Sequence, residues 1–232
     1  MKFPTLLPAR FLRRENRFRA TIEIDGRPAA AHVPNSGRLG ELLVPGALVW
    51  VSPASTSGRK TAYDLRLVAH GDVLVSIDAR LPASLLTEAW QEGRLPPFAD
   101  CETLEREVRA GDSRLDLRLW RSGEPCWIEA KSVTLVENGL ALFPDAPTSR
   151  GVRHLEELIR LRSEKERAAV IFVVQRPDAV AFSPNASADS TFARTLCAAA
   201  EAGVEILAFT CQVSLMEIVL DHAIPVRLPM GR

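Results

Sequence analysis

The sequence contains little cysteine and histidine, and neither type is spaced as metal ligands. It has four of each, with no CxxC pair and no HExxH or similar spacing. A zinc site or a disulfide framework is therefore not expected. Reduced thiols favour a cytoplasmic protein. The cysteines that we expect to be reduced are Cys101, Cys126, Cys197 and Cys211.

Long apolar segments are also missing. The longest uninterrupted apolar run, from Ala168 to Val174, is far too short to cross a bilayer. The first residues contain a lysine but only a broken apolar stretch, which is not typical of a secretory signal. We therefore expect no association with a membrane.

The motifs of nucleotide cofactor sites and serine hydrolases are absent as well. The sequence has no GxGxxG, no GxxxxGK[ST] and no GxSxG with partner residues. A protein that acts directly on small molecules therefore has no support from its motifs.

Lysine is scarce, because 25 of the 29 basic residues are arginine. The net charge is zero, but residues 1–82 carry 12 basic and 7 acidic residues, whereas residues 83–232 carry 17 and 22. A local basic cluster predicts a polyanion as partner, and a solvated surface strand is the alternative. The cluster consists of Arg10, Arg13, Arg14, Arg17 and Arg19.

The pattern of the chain predicts an α+β fold in two domains. Residues 1–82 read as five short strands, with a hairpin turn at Asp25-Gly26, which is typical of a small OB-like β-barrel. Residues 83–232 read as a helix, a three-stranded meander and then alternating helices and strands, which predicts a mixed sheet. The aromatic residues Phe11, Phe18 and Trp50 either stack on bases or fill the barrel core.

The segment WIEAKSVTL, residues 127–135, has the composition of a buried strand but carries Glu129 and Lys131 on one face. If Ser122-Gly123 is a two-residue turn, Asp116 lies opposite Glu129 on the preceding strand. If residues 110–113 form the loop before it, Glu107 lies opposite Asp116. Like charges directly opposite one another destabilise a sheet, so the three carboxylates predict either a cation between them or a raised pKa.

A hard divalent cation, Mg²⁺ or Mn²⁺, suits this set. Magnesium takes oxygen ligands and commonly uses one or two carboxylates with waters and a substrate phosphate. Lys131 would then orient or deprotonate water, or neutralise charge that develops on a phosphate. The alternative is structural, with Lys131 pairing with Glu129, and Arg114 or Arg118 pairing with Asp116.

The order of an acidic residue, a hairpin, E-x-K, a helix and a strand resembles the PD-(D/E)xK nuclease superfamily, although Leu115 stands where the nominal motif has proline. The segments HVPNSGRLGELL, SRLDLRL, WIEAKSVTL, FPDAPTSRGVRHLEEL and GVEILAF together resemble the sugar fermentation stimulation protein family. This resemblance covers nearly the whole chain. It implies an OB-like domain joined to a PD-(D/E)xK nuclease-like domain, DNA binding, and a link to sugar (maltose) metabolism.

Carried over residue by residue, the resemblance implies that Asp116 and Glu129 are metal ligands, that Lys131 is the catalytic lysine and that Glu107 is an auxiliary acid. Arg150 and His154 lie one helical turn apart and are expected to face phosphate, although His154 is equally consistent with a structural histidine.

The polar segment that contains Asn35, Ser36 and Arg38 is expected to contact nucleic acid, or else to form only a turn with a helix cap.

Two functions remain open at this point. The first is a metal-dependent nuclease that acts on single- or double-stranded DNA, and the second is a regulatory DNA-binding protein that keeps the nuclease fold without using it. Because Asp116, Glu129 and Lys131 are all present, no visible loss of the motif favours the second.

Overall fold

The first unit of the chain is a closed β-barrel. A computed structural model describes residues 1–54 and 59–229 of the protein. The strands of the barrel are β1 (Leu7–Asn16), β2 (Arg19–Ile24), β3 (Arg27–His32), β4 (Leu48–Pro53), β5 (Tyr63–His70) and β6 (Val73–Ser76). The strand order is β3-β2-β1-β4-β5-β6, and a parallel pairing of β3 with β5 closes the five strands β1–β5 into an OB-type barrel.

Local chemistry explains the barrel. Asp25 and Gly26 both have positive φ, as a two-residue type I′ turn requires, so the predicted hairpin of β2 and β3 is confirmed. Alternate side chains along the strands point inward, and Ala20, Ile22 and Val49 are fully buried in one cluster.

Residues 82–229 form a second unit with one large mixed sheet. Its helices within the described residues are α1 (Pro82–Gln91), α2 (Ser149–Ser163) and α3 (Ser190–Glu201), and a 3₁₀ turn spans Pro96–Phe98. Its strands are β7 (Thr103–Ala110), β8 (Ser113–Arg121), β9 (Glu124–Val133), β10 (Val136–Glu137), β11 (Leu140–Phe143), β12 (Arg167–Val174), β13 (Ala181–Pro184), β14 (Glu205–Val213) and β15 (Ile218–Ala223).

The large sheet has the order β15-β14-β12-β9-β8-β7 and is covered on both faces. The predicted meander is β7 to β9, and β12 then pairs in parallel with β9 and with β14. Successive residues of β12 point to opposite faces: Phe172 packs in a core with α2 and α3, whereas Ile171 packs in a core with α1. This explains why the strand AAVIFVV is apolar throughout.

The second domain also holds elements that the sequence pattern did not predict. Strands β10, β11 and β13 form a small separate sheet inside the stretch that was expected to be a long loop and just after β12. Residues 1–3 pair with the chain next to β15 instead of with the barrel, through the bonds Phe3 N–H to Met216 and Ile218 N–H to Met1.

The two units share hydrogen bonds. The side chain of Gln175, at the end of β12, accepts from the Ser76 hydroxyl and donates to Ser132 and to the carbonyl of Asp78. In the described part of the chain, no helix is long and apolar enough to cross a membrane.

Candidate metal and nucleic-acid site

Two carboxylates come together where β8 and β9 stop pairing. The predicted register is confirmed, because Arg121 pairs with Glu124 and the ladder runs back to Leu117 and Ile128. At the next position the Asp116 carboxylate accepts the Ala130 N–H at 2.8 Å. A side chain thus replaces the strand partner, and Asp116 is placed beside Glu129.

The electrostatics of the pair show mutual repulsion. Burial raises the pKa of Asp116 to about 6, and the neighbouring charge of Glu129 adds to the effect. Burial would also raise the pKa of Glu129, but Lys131 and His154 outweigh it and hold that pKa below its usual range. Within the described ranges no basic residue forms a salt bridge with Asp116, because Arg114 pairs with Glu107 and Arg118 pairs with Glu105.

The two oxygens of Glu129 differ in their surroundings. Oε1 lies 2.6 Å from Lys131 Nζ and also contacts His154 Nδ1. Oε2 is buried and has no hydrogen-bond partner among the described residues. Glu129 is only 3% exposed and Lys131 is 11% exposed, so this arrangement lies inside the protein.

The structure does not bring Glu107 to the pair. The register that was expected from Arg109 and Arg114 is confirmed, but Glu107 itself has positive φ and interrupts the ladder between β7 and β8. Its carboxylate is 68% exposed and lies 3.2 Å from Arg114. Glu107 and Asp116 both line a small side cavity of about 210 Å³, but Glu107 does not line the main cleft, and its role as auxiliary acid has no geometric support there.

A cleft between the two domains leads to the carboxylates. Its volume is about 510 Å³, with Asp116, Glu129 and Lys131 among its lining residues. The barrel contributes Arg17 and residues 35–37 to its lining, and the second domain contributes residues 142–148 and Arg150. The candidate site is therefore shared by both domains.

The arginine cluster does not act as one surface. Arg14 donates to the carbonyls of Asn35, Gly37 and Arg38 and to that of Arg17, so it supports a loop and is not free to bind phosphate.

The other members of the cluster lie apart. Arg10 donates to Gly46, Arg19 pairs with Glu15 at 2.6 Å, and Arg13 is exposed near Glu15. Only Arg17 of the five lines the cleft.

Of the other residues that were predicted to contact nucleic acid, some are exposed at the cleft and one is buried. Ser36 and Arg150 line the cleft and are exposed, and Arg38 is exposed beside it. Asn35 is buried, where its amide donates to Ile77 and accepts from Gly37.

His154 was expected to face phosphate together with Arg150, and that expectation is wrong. It is buried behind Glu129 because α2 directs this side chain into the core.

Three residues of the cleft were not singled out from the sequence, although two of them lie in the segment FPDAPTSRGVRHLEEL that carries the family resemblance. Arg80 lines it and binds Asp78, and Asp145 lines it while accepting the Leu39 N–H at 3.2 Å. Both lie in loops, and only the packing of the two domains brings them to the site. Thr148, which lines the cleft and caps α2 by accepting the Gly151 N–H, could have been found as a helix start signal.

The residues present fit a hard divalent cation. Two adjacent carboxylates with a buried oxygen that lacks a partner form an oxygen-rich donor set, which suits Mg²⁺ or Mn²⁺ together with waters and phosphate. Within residues 1–54 and 59–229, no group of three or more acidic, histidine or cysteine residues is arranged to hold a metal by itself. A cation bound by the two carboxylates would therefore have coordination positions left for water and phosphate.

An OB-type barrel joined to a mixed-sheet domain with a buried carboxylate pair defines the class of this protein. The second domain matches the family model described as the sugar fermentation stimulation protein RE domain over residues 80–217. The barrel matches the SfsA N-terminal OB domain over residues 12–77. The chain belongs to the sugar fermentation stimulation protein family.

Similar proteins support this membership over nearly the full length. The chain is 48% identical to a sugar fermentation stimulation protein homolog of Desulforamulus reducens, covering 97% of this chain and 94% of the relative. A homolog of Moorella thermoacetica is also 48% identical, covering 96% and 97%. The solved structure of SfsA from Pyrococcus furiosus in complex with Ca²⁺ has a TM-score of 0.90 and 35% identity, covering 98% of each chain.

Proposed function

We propose that this protein binds DNA and cleaves phosphodiester bonds with Mg²⁺ or Mn²⁺ at the cleft. One observation carries the proposal: the buried pair of Asp116 and Glu129 leaves an oxygen without a partner beside Lys131, in a cavity that opens between the domains. A purely structural ion pair would satisfy its own oxygens. Here Glu129 Oε2 has no partner among the described residues, so it can bind a cation, and the cation can bind a phosphate.

The known relative supports a divalent cation. The Pyrococcus furiosus protein was solved in complex with Ca²⁺, and its fold matches this chain over 98% of both lengths. Calcium and magnesium both take oxygen ligands, so carboxylates suit either ion. We propose that this chain also binds a divalent cation, through Asp116 and Glu129.

Each residue has a distinct chemical role in this proposal. Asp116 and Glu129 hold the cation, and Asp116 stays fixed by accepting the Ala130 N–H. When bound, the cation supplies Lewis acidity toward the phosphoryl group and makes water easier to deprotonate. Lys131 places a donor beside Glu129 Oε1, where it orients water and balances charge that develops on the phosphate.

The charged rim of the cleft then positions the DNA. Arg17 and Arg80 are joined there by Arg150 of α2. Arginine is always charged and binds phosphate in a fork geometry, so Arg17 and Arg150 suit a phosphate backbone without reading its sequence, whereas Arg80 directs Nε and Nη2 to Asp78.

A second function remains a candidate because the ion pair of Lys131 and Glu129 is already formed at 2.6 Å. A regulatory DNA-binding protein that retains the nuclease fold would need no more than this pair. Such a protein would connect DNA to sugar metabolism, as the name of the family suggests.

The Lys131→Ala variant separates these functions. We expect it to abolish Mg²⁺-dependent cleavage of labelled DNA while leaving the affinity for DNA close to that of the wild type, because Lys131 acts at the reacting group. The matched control is Lys60→Ala, which removes the same charge at an exposed position outside the cleft. Cleavage at the wild-type rate by Lys131→Ala would remove the lysine from the mechanism. A wild type that binds DNA without cleaving it would favour the regulatory function.

A further inference from the structure

The cleft is small compared with a DNA duplex. Its volume of about 510 Å³ lies in the range of about 300 to 1,000 Å³ for pockets that enclose a single small ligand. A DNA duplex does not fit inside a cavity of this volume, since its major groove alone is about 12 Å wide and about 8.5 Å deep. Because Glu129 is 3% exposed, a phosphate must enter the cleft to reach the carboxylates.

The barrel wall of the cleft is firmly held. Asp145 of the second domain accepts the Leu39 N–H, and its carboxylate lies so close to Gly37 that a methyl group there would approach Oδ2 to 2.4 Å. Arg14 ties the same loop together by donating to its carbonyls. The described loop is therefore braced on two sides, so we expect the cleft to keep its width when DNA binds.

The chemistry of the rim fits a single strand. Arg17 and Arg150 stand on the two sides of the cleft, so a backbone passing between the domains meets a cation on each side. Phe18, the neighbour of Arg17, is 49% exposed although it is a large apolar side chain. Phe18 does not itself line the cleft but lies next to Arg17 in the turn between β1 and β2, outside the cleft, and exposed aromatic rings are surfaces on which unpaired bases stack.

We propose that the site takes a single DNA strand, which passes between the barrel and the second domain and stacks a base on Phe18, and that an intact duplex is excluded. This inference rests on the proposed function, because it assumes that DNA phosphates reach Asp116 and Glu129. It adds the class of substrate, which follows from the size of the cleft and the bracing of its wall.

The test compares three substrates of one sequence with the full-length protein and Mg²⁺ or Mn²⁺: a labelled single strand of about 30 nucleotides, its blunt duplex, and a duplex with a single-stranded tail. We expect the single strand to be cleaved at least about tenfold faster than the blunt duplex. In the tailed duplex, we expect the cuts to lie in the tail. Equal or faster cleavage of the blunt duplex, or cuts inside the paired region, would overturn the inference.

A binding measurement keeps the inference testable if no substrate is cleaved. Fluorescence anisotropy in Ca²⁺ compares the affinity for the single strand and for the blunt duplex. Tighter binding of the single strand supports the inference even when the proposed cleavage fails. Equal or tighter binding of the duplex contradicts it, whatever the outcome for cleavage.

Two variants locate the strand on the protein. We expect Phe18→Ala to weaken binding of the single strand by about fivefold or more, as expected for the loss of one stacked base, and Arg17→Ala to weaken it and reduce its salt dependence. The matched controls are Leu215→Ala, another exposed apolar residue, and Arg27→Ala, another exposed arginine of the barrel outside the cleft. Effects of equal size in the controls would contradict the proposed path.

Discussion

Glu129 is held from one side only. Lys131 and His154 both contact Oε1, and Oε2 is left without a partner in the described chain. The His154 ring is itself contacted on its other nitrogen, because Arg150 Nε donates to Nε2 at 3.4 Å. With Nε2 as the acceptor, the proton of the ring is assigned to Nδ1, which then donates to Glu129. Hydrogen bonds therefore run from Arg150 at the rim of the cleft through His154 to the Glu129 carboxylate.

We expect His154→Ala to weaken binding of Ca²⁺ or Mn²⁺ by about 10- to 100-fold, because loss of a partner that orients a metal ligand typically has this effect. Isothermal titration calorimetry measures the change, and His154→Gln should restore part of the affinity because its amide can donate to Glu129. The control His222→Ala changes an exposed histidine that pairs with Asp221. Equal affinities in wild type and His154→Ala would show that His154 only fills space.

The raised pKa of Asp116 predicts how stability depends on pH. In the folded chain its pKa is about 6, against 3.8 for an ordinary aspartate, so between these values the folded state holds a proton that the unfolded state has released. The stability of the wild type therefore falls as the pH rises through this window. The full cost, reached above the folded pKa, is roughly 3 kcal/mol.

Asp116→Asn should remove that cost. We expect the variant to unfold in urea at a higher concentration than the wild type above about pH 7, without divalent cations, and to match it near about pH 4. The difference between the two proteins isolates Asp116 from other titrating groups. A variant that is less stable than the wild type at every pH would show that the carboxylate is not repelled in the folded protein.

The sequence predicted the central residues of the site but not their supports. A two-residue turn at Ser122-Gly123 fixes the register of β8 and β9, so Asp116 and Glu129 follow from local pattern alone. The register also placed Glu107 correctly, but the sequence did not predict its positive φ or its pairing with Arg114 at the surface. The role of Arg14 depends on carbonyls that only the folded loop brings together.

At the scale of elements, the loop of residues 35–39 is docked on the segment that leads into α2. Asp145 makes this contact through the Leu39 N–H, and the same segment ends at Thr148, which caps the helix that carries His154. The barrel loop and the helix behind the carboxylates are therefore positioned by one short stretch of chain.

Gly37→Ala tests this docking. A Cβ at residue 37 would lie 2.4 Å from Asp145 Oδ2, so the carboxylate must move and leave Leu39. We expect a loss of about 1 kcal/mol in stability and weaker DNA binding, with unchanged affinity for Mn²⁺ by calorimetry. Gly40→Ala is the matched control, because a Cβ there meets nothing within 4 Å. Equal DNA affinities in the two variants would show that the docked loop does not form part of the binding site.

The sequence predicted those helices and strands that have a strong local pattern. The hairpin of β2 and β3, the apolar β12 and the amphipathic α2 are confirmed, because each has a strong local period or turn. The small sheet was missed because β10 and β11 are short, although Asn138-Gly139 between them is a strong hairpin signal that should have been used.

At the scale of the whole molecule, the carboxylates belong to the second domain, but the cleft in front of them is lined by both domains. Gln175, the residue directly after β12, bonds Ser76 at the end of the barrel and Ser132 of β9, so the chain next to the site is bonded to the barrel. The sequence predicted both domains, with the boundary set near residue 82, where α1 begins. It gave no means to predict their relative placement, because Arg80 and Asp145 join the cleft through tertiary packing.

The most direct test of the central claim is a titration of the full-length wild type and of Asp116→Asn with Mn²⁺, by calorimetry. We expect saturable binding at one site in the wild type and its loss in Asp116→Asn, because Glu129 alone would leave the cation with one carboxylate. No binding in the wild type, or equal binding in both proteins, would contradict the assignment of Asp116 and Glu129 as a metal site and leave Glu129 and Lys131 as an ion pair.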